Sequence, residues 1–189
     1  MTSETIISIL LGIGLAASVG FRVFLPLFIL SLAAYLDFWQ LNENWIWLGS
    51  MSSLLILGVA TIAEILAYYI PFFDNILDTI AVPLAAIAGS AVMMSTVANL
   101  SPEITWALAI IAGGGTAAAI SSSTSTTRLT STSTTAGLAN PIVSTLETGA
   151  SLVISIISVI LPVLGFILVL LVFYVLYKFY KKFKPSKSQ

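Results

Sequence analysis

Cysteine and histidine are both absent from this chain of 189 residues. Without cysteine there is no thiol nucleophile, no disulfide framework and no thiolate metal site. Without histidine the usual general base near neutral pH is missing, and a Ser-His-Asp triad is excluded. Charge is scarce as well: 8% of residues are charged, where a soluble domain carries about 25%. The five lysines, Lys178, Lys181, Lys182, Lys184 and Lys187, crowd the C-terminal end, and the formal net charge is −1. No basic surface for nucleic acid can be built from that distribution.

What is present is apolar. Hydrophobic residues make up 58% of the chain, and mean hydropathy is +1.07. A soluble domain of this length still needs a solvated exterior. The exterior of this one must be lipid. The expected fold class is all-α, a polytopic transmembrane helical bundle forming one integral membrane domain over 1–189, with a basic tail at 178–189. The residues before the first apolar run include Glu4 and no Lys or Arg. That run also continues far past the length of a signal h-region, so it reads as a retained membrane helix.

From residue 6 to 36 the sequence is apolar apart from small residues, serines and Arg22. One straight helix of that length would measure about 46 Å against a hydrocarbon core of about 30 Å. A break is expected between Gly20 and Pro26, because Pro26 cannot donate to the Arg22 carbonyl. A polar loop at 37–47 carries Trp39, Trp45 and Trp47, suited to the headgroup level. A second helix is expected over 46–70 with Glu64 inside it, and residues 71–75 read as a tight turn. The third helix, over 76–98, opens with Asp74 and Asp78 where its dipole favours acids, and is interrupted by Pro83 and Gly89. Ser101-Pro102-Glu103 is a helix start. The fourth helix carries Gly113, Gly114 and Gly115, expected points of bending or close packing. Asn140-Pro141 reads as a cap and restart, and the last apolar stretch, 142–177, contains Pro162.

The lysines place the C-terminus in the cytoplasm by the positive-inside rule, and a basic-free N-terminus favours the outside. Opposite ends imply an odd number of crossings. Five is the expected count, and six if the chain folds back near Pro162. Each half holds one Arg followed by one Glu, Arg22 then Glu64 and Arg128 then Glu147, a hint of an inverted repeat.

Those four side chains are the first candidates for function. Each costs about 2.5–3.5 kcal/mol at a helix centre on insertion scales. They read either as Arg–Glu pairs that lock helices together or as the lining of a polar path, with the glutamates as proton or cation sites. Tyr68 shares a helical face with Glu64 and could hydrogen-bond to it. Between 121 and 135, thirteen of fifteen residues are Ser or Thr. A solvated linker is one reading of that tract. A buried helix is the preferred one, with Ser121, Thr124, Ser125, Arg128 and Thr132 on one stripe. A helix restarting at Pro141 would point free N–H groups toward the tract, and with Arg128 could bind an anion.

Several segments resemble a known family: Gly14 to Arg22 with Pro26, Tyr69 to Asn75 with Asp78 and Pro83, Ala112 to Thr116, Thr127-Arg128, and Asn140-Pro141 to Glu147. The family is one of small bacterial and plastid-lineage membrane proteins catalogued as a domain of unknown function. The resemblance covers nearly the whole chain and implies a multi-pass membrane protein, with no activity attached.

The function expected from these residues is a small transporter or channel for a small polar solute or ion, in a bacterial inner membrane. The alternative is a non-catalytic structural or assembly factor whose charge pairs only hold helices together. No paired-carboxylate motif supports an enzyme, and no cofactor or metal is expected. Expected partners are membrane lipid, the small solute or ion and a second copy of the chain, with no nucleic acid.

Overall fold

The computed structural model describes residues 2–183. Lys184 and Lys187 lie outside the described residues, whereas Lys178, Lys181 and Lys182 fall within the last helix. The described residues form helices α1 (Ser3–Val19), α2 (Phe24–Tyr35), α3 (Met51–Ala67), α4 (Pro71–Thr96), α5 (Pro102–Leu108), α6 (Gly115–Thr135), α7 (Asn140–Ile160) and α8 (Pro162–Phe183). A 3₁₀ segment, Glu43–Gly49, precedes α3, and a π-helical segment, Ala109–Gly114, joins α5 to α6. The protein is an all-helical membrane protein.

Among the described residues, three helical stretches are long and apolar enough to span a bilayer: Phe73–Thr96, Pro102–Thr135 and Asn140–Ile160. A fourth arises if Glu43–Gly49 and Met51–Ala67, bent by 66° at Ser50, count as one. The shorter apolar helices Ser3–Val19, Phe24–Tyr35 and Pro162–Lys178 complete the bundle. The expected five or six crossings therefore stand as an approximation to full and partial passes. Large apolar side chains such as Val59, Ile87 and Ile111 are exposed on its outside, as a lipid-facing surface requires.

The long first stretch breaks where expected. α1 ends at Gly20, and α2 turns back toward the end where α1 began. At that end Ser8 Oγ accepts from the Ala98 N–H at 3.2 Å, while the Asn42 N–H, just beyond α2, donates to the Ser95 carbonyl at 2.9 Å. Both contacts lie at the close of α4. Pro26 sits in the first turn of α2, where a missing N–H costs nothing.

Two expectations change, and of the two readings at Pro162 the fold-back holds. Residues 71–75 are not a turn but the first turn of α4, because Pro71 starts a helix at its first position. Pro83 and Gly89 do not interrupt α4, which is continuous through both. The chain also folds back at Pro162 without a polar loop. Ser158 and Gly165, equidistant from the bend, lie against each other, and a Cβ on Gly165 would stand 2.4 Å from Ser158 Oγ. The Gly165 N–H donates to the Leu161 carbonyl, so the reversal leaves few polar groups bare.

Glycines allow a close backbone crossing between α4 and the π-helical segment. A Cβ on Gly113 would lie 2.5 Å from the Gly89 carbonyl oxygen, and one on Gly89 would lie 2.8 Å from the Gly113 oxygen. Gly114 similarly meets Ser90 and the Ala86 carbonyl. Gly113 and Gly114 thus bring two backbones together through a π-helical turn, and the triplet does not break the helix. Gly149 has open space around its Cβ position. Gly113→Ala is therefore expected to cost about 1–3 kcal/mol through overpacking. Gly149→Ala should be neutral or stabilising by up to about 1 kcal/mol. Thermal unfolding of the two variants in mild detergent checks the contrast.

Candidate functional site

The break between α1 and α2, the end of α3, the start of α4, the last two turns of α6 and the start of α7 meet at one end of the bundle. α8 runs toward the same end, since Leu176 lines a groove with Thr135, Ala139 and Val143. Its lysines Lys178 and Lys181 follow directly, and we call this the basic end.

Glu147 lies seven residues into α7, about 10 Å from its start. Both arginines of the chain converge on it. Arg128 bonds it through Nε, at 3.2 and 3.1 Å to the two oxygens, and closely through Nη2. Arg22 Nη1 lies 3.4 Å from Glu147 Oε2. The remaining Arg22 donors go to Thr148 Oγ1 at 2.9 Å and to the carbonyl and hydroxyl of Ser144. Arg128 also binds Asp74 closely through Nη1, and its Nε lies 3.8 Å from Asp78. Arg22 and Arg128 are 1% and 2% exposed, so these are desolvated charges whose cost only paired partners can offset.

Tyr68 supplies a third kind of partner. Both guanidinium groups lie over its ring, with Cζ at 4.0 Å for Arg22 and 4.1 Å for Arg128 from the centroid. Tyr68 does share the α3 face with Glu64, as the helical spacing predicts. The ring, though, is what it brings to the site. Glu64 Oε1 and Oε2 accept instead from the backbone N–H groups of Val23 and Phe24, at 2.7 and 3.0 Å. The carboxylate caps α2 from another helix, which explains how a helix can start at Val23 without a local side-chain cap.

The structure gathers Arg22, Glu64, Tyr68, Arg128, Asn140 and Glu147 at this end, and adds Asp74 and Asp78. By sequence those two acids suit the helix dipole, or acid–base work if the protein were an enzyme; here both lie against Arg128. Asn140 also differs from expectation: it does not cap α7. Its Nδ2 donates to Asp74 Oδ2 at 2.8 Å and to Thr132 Oγ1 at 3.0 Å. Its Oδ1 is buried without a partner. The anion site expected from Arg128 and the α7 start does not form, because carboxylates already occupy that guanidinium. Nor are the two Arg–Glu couples equivalent. Glu147 receives both arginines, while Glu64 binds backbone, so the geometry gives the repeat hint no support.

The Ser/Thr tract is helical throughout, and its expected stripe is the inward one. Ser121 and Arg128 are buried, and Thr124, Ser125 and Thr132 are half-buried. Ser122, Thr126, Thr130 and Thr134 face outward. Their hydroxyls donate to carbonyls four residues back, at 2.7 to 2.9 Å. Spending each donor on its own helix leaves methyl and methylene groups outermost, which makes a polar sequence tolerable to lipid.

From the cluster, buried hydroxyls continue along α7. Ser144, Ser151, Ser155 and Ser158 are fully buried. Ser151 Oγ donates to the Ser18 carbonyl at 3.0 Å, whereas Ser155 and Ser158 hydroxyls have no partner. Of the expected break residues, Gly20, Pro141 and Pro162 mark helix ends, whereas Gly113, Gly114 and Gly115 lie in one continuous helical run.

The cation–π geometry makes a direct prediction. Tyr68→Phe should leave stability within ~0.5 kcal/mol. Tyr68→Leu should lose about 2 kcal/mol or more by stripping the ring from two desolvated guanidiniums. Chemical or thermal unfolding of the two variants side by side checks it.

No curated protein and no solved structure matches the chain. A family described as Domain of unknown function (DUF4126) matches residues 9–182, which include every residue of the cluster. A match of that extent settles the relationship, and the chain belongs to the DUF4126 family.

Proposed function

We propose that the protein passes a small ion or small polar solute across the membrane, and that a cation is the better fit. The observation that supports this is the charge balance of the cluster. Three buried carboxylates, Glu64, Asp74 and Glu147, and the half-buried Asp78 stand against two buried guanidiniums. A cluster that served only to lock helices would need no surplus of buried negative charge, which is costly in an apolar medium. The unpartnered hydroxyls of Ser155 and Ser158 carry the polar line deeper between helices, away from the basic end. By the positive-inside rule the basic end faces the cytoplasm, in a bacterial plasma membrane on this reading. The protein is then a conduit rather than an enzyme, with lipid as its surrounding partner.

The assembly-factor reading is favoured by one feature: Arg128 is saturated by Asp74, Asp78 and Glu147, as a static lock would be. Flux separates the two. Vesicles reconstituted with the wild-type protein should dissipate an imposed proton, sodium or potassium gradient. Glu147→Gln and Arg128→Ala should abolish the flux while the purified variants keep a cooperative unfolding transition. No wild-type flux of any of the three ions, or unchanged flux in both variants, would remove the cluster from transport.

A further inference from the structure

Three of the cluster's four carboxylates reach a guanidinium: Glu147 meets both arginines, and Asp74 and the half-buried Asp78 meet Arg128. Among the described residues Glu64 makes no ion pair. Its oxygens are held by two neutral donors, Val23 N–H and Phe24 N–H. It also forms part of the wall of a cavity of about 340 Å³ between the start of α2, α3 and α4, with Val23, Phe24, Ala60, Ala67 and Leu84. Apart from Tyr68, the rest of that wall is apolar. A metal ion would need several oxygen ligands there, and the cavity supplies one carboxylate. A proton needs only that one.

We infer that Glu64 is a proton-binding site, and that its protonation releases the start of α2. This deepens the transport reading and rests on it for its consequence, whereas proton binding itself is measured without flux. The step is a simple association. A proton adds to one carboxylate oxygen, and the group goes from anion to neutral acid. The anion accepts from both N–H groups at once. The acid keeps one good acceptor, its carbonyl oxygen, while its hydroxyl becomes a donor that must find a partner of its own. One backbone N–H at the start of α2 is then left without its cap, and the favourable charge at that helix end is gone.

α2 is suited to respond. It has 12 residues, no local side-chain cap, and a break on its N-terminal side that carries Arg22. Because Arg22 also holds Glu147, Ser144 and Thr148, movement at the break is transmitted to α7. The charged and titratable groups around Glu64 are Arg22 from the break, Tyr68 from its own helix, Asp74 and Asp78 from α4, Arg128 from α6 and Glu147 from α7. Arg22 and Arg128 hold the anion in place at high pH. Asp78, on the neighbouring helix, is the competing proton acceptor, and the experiment must tell the two apart.

The test uses the full chain in lipid nanodiscs, with hydrogen exchange resolved at the Val23 and Phe24 amides and infrared difference spectra, from mildly alkaline to mildly acid buffer. After correction for intrinsic exchange, the wild-type amides should exchange about tenfold faster in acid, the loss expected for one buried cap. A protonated-carboxyl band should appear over the same range. Glu64→Gln should abolish the band and the pH response, and Asp78→Asn should retain both. Wild-type amide protection that does not change with pH overturns the proposal. So does a band that survives Glu64→Gln and vanishes in Asp78→Asn. If Glu64→Gln does not fold, the wild-type exchange and Asp78→Asn still decide the matter.

Discussion

Glu147 receives both guanidinium groups of the chain, and the arrangement of α3, α4, α6, α7 and the α1–α2 break follows from that convergence. Arg22 reaches it from the break between α1 and α2, and Arg128 from α6. Arg128 draws in Asp74 and Asp78 from α4, and both arginines lie over Tyr68 at the end of α3. A buried pair made by removing two ions from water brings little net stability, but breaking one leaves an uncompensated charge at a cost of about 3–5 kcal/mol. The cluster therefore fixes the arrangement more than it strengthens it. Any rearrangement must keep each guanidinium matched with a carboxylate, and a carboxylate that loses its guanidinium needs a cation or proton instead.

The rest of the bundle accommodates that constraint by close approach. Gly89 and Gly113 bring α4 and the π-helical segment together, and Gly14 and Gly165 admit Ser158 between α1 and α8. With lipid outside, there is no hydrophobic drive to hold helices together, so contact at this range and internal hydrogen bonds must do so. The Ser/Thr helix meets both needs. Outward, its hydroxyls turn back on its own carbonyls, and inward it places Arg128 on the cluster and Thr132 on Asn140.

Much of this was legible in the residues, and what was not has physical causes. The inward stripe of Ser121, Thr124, Ser125, Arg128 and Thr132 follows from helical spacing alone. The break after Gly20 follows from excess length and a proline. Partner choice was hidden, because the polar contacts join segments far apart in sequence. Glu64 to Val23 spans 41 residues and Arg128 to Asp74 spans 54. Asp74 was obscured further by reading Pro71 as the end of a helix when it is the beginning of one. The reversal at Pro162 left no polar signature, since Ser158 and Gly165 make the turn compact within an apolar run.

On the transport proposal, one face of the Ser/Thr helix borders a polar path and the other meets lipid. The chain has no native cysteine, so single cysteines placed along α6 report on this directly. They would be labelled with a membrane-impermeant thiol reagent in sealed vesicles. Cysteines at Ser121, Ser125 and Thr132 should react from the side of the basic end, while those at Thr126, Thr130 and Ser133 should not. Uniform reaction around the helix, or no reaction at any inward position, would contradict the account.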